Sequence, residues 1–131
     1  MGTLCTRLQD VNEAGIFQLN CPPEELRAAA TQAGFALFEA DLAAVHGKGE
    51  FLAAVAEALQ APEWFGNNLD ALSDALGDLS WRPATGYVLM LRNGGETLGL
   101  TVADHGIVTE ILTNTLSFWK SQGKPFWVLF C

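Results

Sequence analysis

The chain has 131 residues, of which 50% are hydrophobic, so it has the length of one domain and enough apolar side chains for a core. Its 15 acidic and 7 basic side chains give a formal net charge of −8. This charge disfavours nucleic acid and anionic membranes as partners and favours a basic protein. The apolar runs are shorter than the roughly 18 to 20 residues of a membrane span.

The N-terminus and the cysteines predict the cellular compartment of the protein. The first residues lack the apolar segment of a signal peptide. Cys5, Cys21 and Cys131 are odd in number, scattered, and without a C-x-x-C motif. We therefore expect neither a disulfide framework nor a zinc site, and we predict a reduced, cytoplasmic protein.

The first half of the chain alternates strand-like and helical segments. Proline at 22 and 23 followed by two glutamates is typical of a helix start, and Gly34 is typical of a helix end. Apolar residues at helical spacing predict a further helix that stops before Pro62. In chain order we predict a short strand at 16–19, a helix at 22–34, a buried strand at 35–42 and a helix at 50–60.

The second half continues this alternation. We predict an amphipathic helix at 67–79, closed by Trp81-Arg82-Pro83, and a long helix to Gln122 that Asp104 can cap. Residues 96–104 fit either a short strand or a helical turn. Continuous apolar strands are predicted at Tyr87–Arg92 and Phe126–Phe130. Buried strands between helices are typical of parallel α/β folds.

The helix predicted at 67–79 has two opposed stripes. At about 100° per residue, its leucines share one side and Asp70, Asp74 and Asp78 share the other. Like charges spaced i,i+4 cost a few tenths of a kcal/mol per pair. Such a ridge is either an ordinary solvated surface or a binding site for a cationic partner.

The loop before this helix adds aromatic and turn-forming residues. Gly66 permits a sharp turn, and Asn67 or Asn68 can be the N-cap. Trp64 and Phe65 are consecutive, so either one presents an aromatic face beside the acids or both lie in a small core under the loop. Aromatic anchors beside carboxylates are typical of protein-binding hot spots. The predicted partner-binding residues are Trp64, Phe65, Gly66, Asn67, Asn68, Asp70, Asp74 and Asp78.

Catalytic and metal sites find little support in the sequence. No Ser/His/Asp set, Cys/His pair or phosphate-binding glycine loop can be assembled from the spacing. His105 lies near a predicted helix start, where a structural role is the commoner one. Asp70 and Asp74 alone supply too few oxygen ligands for a hard cation. We predict no enzymatic activity, no catalytic residue, no cofactor and no metal.

The stretch from Pro62 to Asp74, PEWFGNNLDALSD, resembles the barstar family motif P-E-aromatic-aromatic-G-x-N-L-D-A-L-x-D. The order of predicted elements agrees as well, over residues 35–131. Residues 1–34 are an N-terminal extension, expected to form a β-α unit of the same single domain, 1–131. The resemblance implies a barstar-like, two-layer α/β fold with a three-stranded parallel sheet, and residues 16–19 offer a fourth strand.

Barstar is an intracellular inhibitor of a secreted ribonuclease. The resemblance therefore implies an inhibitor of a basic ribonuclease toxin, which would act as an immunity protein or antitoxin. We expect a monomer. Trp64, Asp70 and Asp74 match family positions that contact the ribonuclease, and Gly66 and Asn68 match those that shape the loop. Three positions depart from barstar itself: Asn67, Ser73 and Phe118. The alternative is a general acidic interaction domain for another basic protein.

Overall fold

The computed structural model describes residues 4–62, 66 and 68–131. A 3-10 helix at Leu4–Thr6 precedes the elements that build the fold. Within the described residues these are β1 (Ile16–Gln18), α1 (Pro23–Ala33), β2 (Ala36–Asp41), α2 (Lys48–Leu59), α3 (Leu69–Leu76), β3 (Tyr87–Arg92), α4 (Val102–Ser121) and β4 (Phe126–Phe130). Among these helices, none combines the length and apolarity needed to cross a bilayer.

The four strands form one parallel sheet in the order β1-β4-β3-β2. The predicted α/β architecture is confirmed, and the N-terminal strand is its fourth member. Successive side chains of a strand point to opposite faces, so β3 contributes to two separate hydrophobic clusters. Leu89 and Leu91 belong to one of them, and Val88 and Met90 belong to the other.

The larger cluster lies between the sheet and helices α2, α3 and α4. Its aromatic centre is Tyr87, whose ring stacks on Phe38 at 6.2 Å and lies 4.9 Å from the Trp119 ring, centroid to centroid. The Tyr87 hydroxyl donates to the Arg82 carbonyl at 3.0 Å, and burial raises the pKa of this phenol. This face and its helices form the two layers predicted for residues 35–131.

The N-terminal extension forms a further layer on the opposite face of the sheet. Leu8, Leu26 and Ala30 are buried there against Val88, Met90, Trp127 and Leu129. The Trp127 indole N–H donates to the Leu8 carbonyl at 2.9 Å. Helix α1 ends where predicted, because Gly34 adopts a left-handed conformation, φ 76°, and its N–H caps the helix. The extension therefore packs as part of the folded unit.

The prediction that the cysteines form no disulfide was wrong. Cys5 and Cys21 form a disulfide with a Cα–Cα distance of 6.6 Å, whereas Cys131 is free and exposed. No local motif announces this pair, because 16 residues separate the two cysteines. Their proximity arises from tertiary packing, which sets the 3-10 helix against α1.

The bounds of several elements also differ from prediction. The cap of α4 is Thr101, whose hydroxyl accepts the Asp104 N–H at 3.1 Å, so Asp104 lies within the first turn. Residues 95–99 form turns rather than a strand. Helix α3 ends at Leu76, three residues earlier than expected. Glycine at position 77 is a poor helix former, and the buried Leu79 takes φ 50°, which is outside helical geometry.

Candidate protein-binding surface

Helix α3 begins with a side-chain cap. The Asn68 side-chain oxygen accepts the Ala71 N–H at 2.8 Å. Of the two residues predicted as alternatives, Asn68 is therefore the N-cap. The Asn68 N–H in turn donates to the Gly66 carbonyl at 2.8 Å. A Cβ on Gly66 would lie 3.1 Å from the side-chain nitrogen Nδ2 of Asn68. Glycine at this position therefore leaves room for the side chain that starts the helix.

The two stripes of α3 lie where the sequence predicted them. Leu72, Ala75 and Leu76 are buried, while the side chains of Asp70 and Asp74 are exposed to solvent. We call these two aspartates the acidic face. The hydrogen bonds and ion pairs found among the described residues engage neither carboxylate. The acidic face is therefore available for an external partner.

Asp78 does not extend the acidic face, contrary to the sequence prediction. It follows the end of α3 at Leu76, in a turn rather than on the helix. Its carboxylate accepts the Ser80 hydroxyl at 3.2 Å. Because the helix stops before Gly77, the spacing that aligned three aspartates in sequence aligns only Asp70 and Asp74 in the structure.

Two tryptophans anchor the segment that contains the acidic face. The Trp119 indole N–H donates to the carbonyl of Leu76, the last residue of α3, at 2.8 Å. The Trp81 indole N–H donates to the carbonyl of Leu59, the last residue of α2, at 2.9 Å. Carbonyls in the last turn of a helix have no partner within that helix. These bonds fix α3 and the end of α2, and sequence patterns gave no sign of them.

Several of the described cations have partners other than Asp70 and Asp74. The Arg27 guanidinium makes two hydrogen bonds to Glu39, at 2.8 and 2.9 Å, and Arg92 approaches the same carboxylate at 3.7 Å. The bonds from Arg27 lower the pKa of Glu39 and raise the pKa of Arg27. Arg82 lies over the Phe38 ring, and Lys124 over the Trp119 ring. Asp70 and Asp74 are consequently not neutralised by these groups.

Metal chemistry has no evident site in residues 4–62, 66 and 68–131. Within them no cluster of three or more His, Cys, Asp or Glu side chains could hold a metal ion. His105, which the sequence placed near a helix start, lies in the first half of α4 and accepts the Thr109 hydroxyl through its backbone carbonyl.

A family model described as Barstar (barnase inhibitor) matches residues 35–131 of this chain. The chain belongs to the barstar family. The match spans about three quarters of the sequence and includes the sheet strands β2 to β4, helices α2 to α4, and the acidic face. No curated protein matches the chain.

The barstar-family match leaves the extension outside, since β1 and α1 precede residue 35. Of the positions that depart from barstar, Ser73 is exposed next to Asp74, and Phe118 is 43% exposed with its ring edge-on to Trp119. Trp64, Phe65 and Asn67 lie outside the described residues. Their predicted contribution to binding stays a prediction.

Proposed function

We propose that this protein inhibits a basic ribonuclease, a secreted enzyme or toxin, by covering its active site with the acidic face and the loop before it. The observation that supports this most directly is the exposure of Asp70 and Asp74 on an anchored helix, with no ion-pair partner among the described residues. Family membership supplies the class of partner. The protein acts as a plug and performs no chemistry of its own.

The mechanism follows from what a ribonuclease must do. It holds the substrate phosphate with arginine, lysine and histidine side chains in a cleft of positive potential. Asp74 would accept charge-assisted hydrogen bonds from those side chains in place of the phosphate. Asp70, one turn earlier, would approach the rim of the same cleft. The net charge of −8 would accelerate encounter, and added salt would screen this attraction.

The preceding loop would complete the contact. Trp64 and Phe65 are proposed to cover the cleft and exclude water, while Gly66, Asn67 and Asn68 set the path of the loop. Desolvation by a neighbouring aromatic ring strengthens the charged hydrogen bonds that it surrounds. Asp78 is the weakest member of the proposed surface, because it lies beyond the helix.

The test compares two variants that each lose one negative charge. Asp74→Asn changes the acidic face, whereas Glu25→Gln changes an exposed residue of α1 on the opposite face of the sheet. Each variant is co-expressed with a basic ribonuclease from the same cell, and survival is scored. We expect Glu25→Gln to protect like the natural sequence and Asp74→Asn to protect poorly.

The same pair of variants is then measured by titration against purified ribonuclease. Removing one member of a buried charged pair costs about 2–5 kcal/mol or more, and barnase–barstar is itself one of the complexes in which charge-pair energies have been measured. Asp74→Asn should therefore bind at least about thirtyfold more weakly. Equal inhibition by Asp74→Asn and Glu25→Gln would remove Asp74 from the interface.

A second function is favoured by Ser73. Barstar has a bulky tryptophan between its two aspartates, whereas this chain has a small exposed serine there. That substitution suits a differently shaped basic partner, for which the protein would be a general acidic interaction domain. Affinity capture followed by a nuclease assay separates the two, since only the ribonuclease inhibitor captures a nuclease and abolishes its activity.

Oligomeric state and compartment complete the proposal. We propose a monomer, which light scattering at two concentrations tests.

We also propose a cytoplasmic location. The Cys5–Cys21 disulfide removes the support that the scattered cysteines gave to this location, because disulfides persist mainly in oxidising compartments. Acid quenching of cells followed by thiol labelling of the unfolded protein tests the compartment: a cytoplasmic protein would be labelled at Cys5 and Cys21 as well as at Cys131.

A further inference from the structure

A cavity of about 510 Å³ opens at the carboxyl ends of the parallel strands. Leu91 of β3 and Phe130 of β4 form its floor, and the turn after β3, with Gly94 and Glu96, forms one side. In open parallel sheets, the crevice beyond the carboxyl ends of the strands is where ligands bind. Its volume is within the range of small-molecule sites.

The extension supplies one wall of this cavity. Ile16 and Gln18 lie two residues apart on β1, so both side chains point to the same face and line the cavity. Phe17, between them, points to the other face, where its ring lies 5.9 Å from Trp127. The family match begins only at residue 35. The cavity is therefore closed on one side by a strand from outside the matched part of the chain.

Helix α4 supplies the opposite wall through residues one turn apart. His105, Thr109 and Leu112 line the cavity from this helix. Trp119, which anchors α3, lies on α4 too, but 14 residues beyond His105. At 1.5 Å per residue, the two positions are separated by about 21 Å along the helix. No described residue of α3 lines the cavity, so the cavity and the acidic face share no residue.

The lining favours one chemical class of ligand. Apolar side chains dominate the wall, namely those of Ile16, Leu91, Leu98, Leu112 and Phe130. Among the lining side chains that the structure describes, Glu96 is the single carboxylate, and none is a lysine or arginine. The chain as a whole bears a charge of −8. An apolar body is therefore favoured inside, with a positive group beside Glu96 at the mouth, and an anionic ligand is repelled.

We propose that this cavity binds a small molecule that has an apolar ring-sized body and a cationic amine head. The ring would rest on Leu91, Leu112 and Phe130, and the amine would face Glu96. The hydroxyl of Thr109 and the imidazole of His105 offer hydrogen-bonding groups on the α4 side. This binding is independent of the acidic face and of ribonuclease inhibition.

Three indoles test the proposal on the full-length protein, because they share one ring and differ in the head: tryptamine is cationic, tryptophol neutral and indole-3-acetate anionic. Each is titrated into isotope-labelled protein while backbone amide shifts are followed. We expect tryptamine to shift the amides of Leu91 and Phe130, and to bind at least about fivefold more tightly than indole-3-acetate, the scale of a partly exposed ion pair. Glu96→Gln should abolish the preference for tryptamine over tryptophol.

A matched pair of threonines on α4 controls for indirect effects. Thr109 and Thr113 are both exposed, and each donates its hydroxyl to the carbonyl four residues earlier, at 2.8 and 2.9 Å. Only Thr109 lines this cavity. Thr109→Trp should fill the space and abolish tryptamine binding, whereas Thr113→Trp should bind as the natural sequence does.

Three results would overturn the proposal. These are the absence of amide shifts at millimolar tryptamine, equal binding of tryptamine and indole-3-acetate, and equal loss of binding in the two tryptophan variants. If Thr109→Trp fails to fold, Glu96→Gln decides in its place: a variant that still prefers tryptamine over tryptophol overturns the proposal. Ribonuclease inhibition by Glu96→Gln should remain at the natural level, which separates this site from the acidic face.

Discussion

Helices α1 and α3 cover opposite faces of the same sheet and differ in whether their charged side chains are paired within the chain. On α1, Arg27 forms two hydrogen bonds to Glu39 of β2 within the chain. On α3, Asp70 and Asp74 project into solvent without such a partner among the described residues. Both helices bury leucine and alanine side chains against the sheet. Burial is thus common to both, and internal charge pairing distinguishes them.

This difference separates a structural charge from one that is free to bind. An internally paired group has already replaced its water with a fixed partner, so a second protein gains little from it. An exposed carboxylate on an anchored helix gives up only water when a cationic cleft closes over it, and its position is set in advance. The paired charges of Arg27 and Glu39 therefore stabilise the fold, and the unpaired charges of Asp70 and Asp74 are suited to recognition.

Large-to-small substitutions should show that the two faces are equally important for folding. Leu26 on α1 and Leu72 on α3 are both almost completely buried. We expect Leu26→Ala and Leu72→Ala each to lower the free energy of unfolding by about 2–5 kcal/mol, as measured by urea denaturation. A loss confined to Leu72→Ala would mean that the extension is an appendage rather than part of the core.

Removing the disulfide should have the next largest effect on stability, because it weakens the N-terminal extension. The Cys5–Cys21 bond spans a sequence separation of 16 residues and encloses β1. Replacing both cysteines with serine should lower the free energy of unfolding by about 2–4 kcal/mol. Cys131→Ser is the control, because Cys131 is exposed and unbridged, and its denaturation midpoint should match that of the natural sequence. Coincident curves for all three proteins would contradict the prediction.

Breaking the internal ion pair should give a smaller, pH-dependent effect. Arg27 lowers the pKa of Glu39 in the folded protein, so the carboxylate stabilises the fold above its unfolded pKa. That stability is lost as pH falls through the lower, folded pKa. Because both side chains are partly exposed, we expect Glu39→Gln to cost at most about 1 kcal/mol at pH 7.

The pH series provides the check on this pair. Urea denaturation of the natural protein and Glu39→Gln should differ at pH 7, and the difference should shrink as pH falls below the ordinary glutamate value of 4.5. A difference that persists undiminished into strong acid would show that Glu39 stabilises by packing rather than through its charge.

The acidic face should contribute least to folding. Asp74→Asn removes an exposed charge and relieves repulsion with Asp70, so its free energy of unfolding should stay within about 0.5 kcal/mol of the natural value. Calorimetry of the unfolding transition measures this directly. A large destabilisation would mean that Asp74 has a structural partner, and the comparison between α1 and α3 would then fail.

Local patterns were sufficient for the element types and for part of the site. The strands Tyr87–Arg92 and Phe126–Phe130 have the predicted bounds, because continuous apolar runs between turn residues leave few alternatives. The orientation of Asp70 and Asp74 follows from helical spacing against Leu72 and Leu76. The family followed from a motif of 13 consecutive residues, Pro62 to Asp74, and the family match confirms it.

Tertiary structure decided what depends on residues far apart in the chain. The pairing of Cys5 with Cys21, the tryptophan anchors at Leu59 and Leu76, and the cavity between β1 and α4 join segments that no local pattern links. Asp78 lies off the acidic face because α3 ends at Leu76, before Gly77 and the buried Leu79 with its φ of 50°. Sequence determines which side of a helix is polar, since that follows from local geometry. Which charges stay unpaired is settled only when distant elements come together.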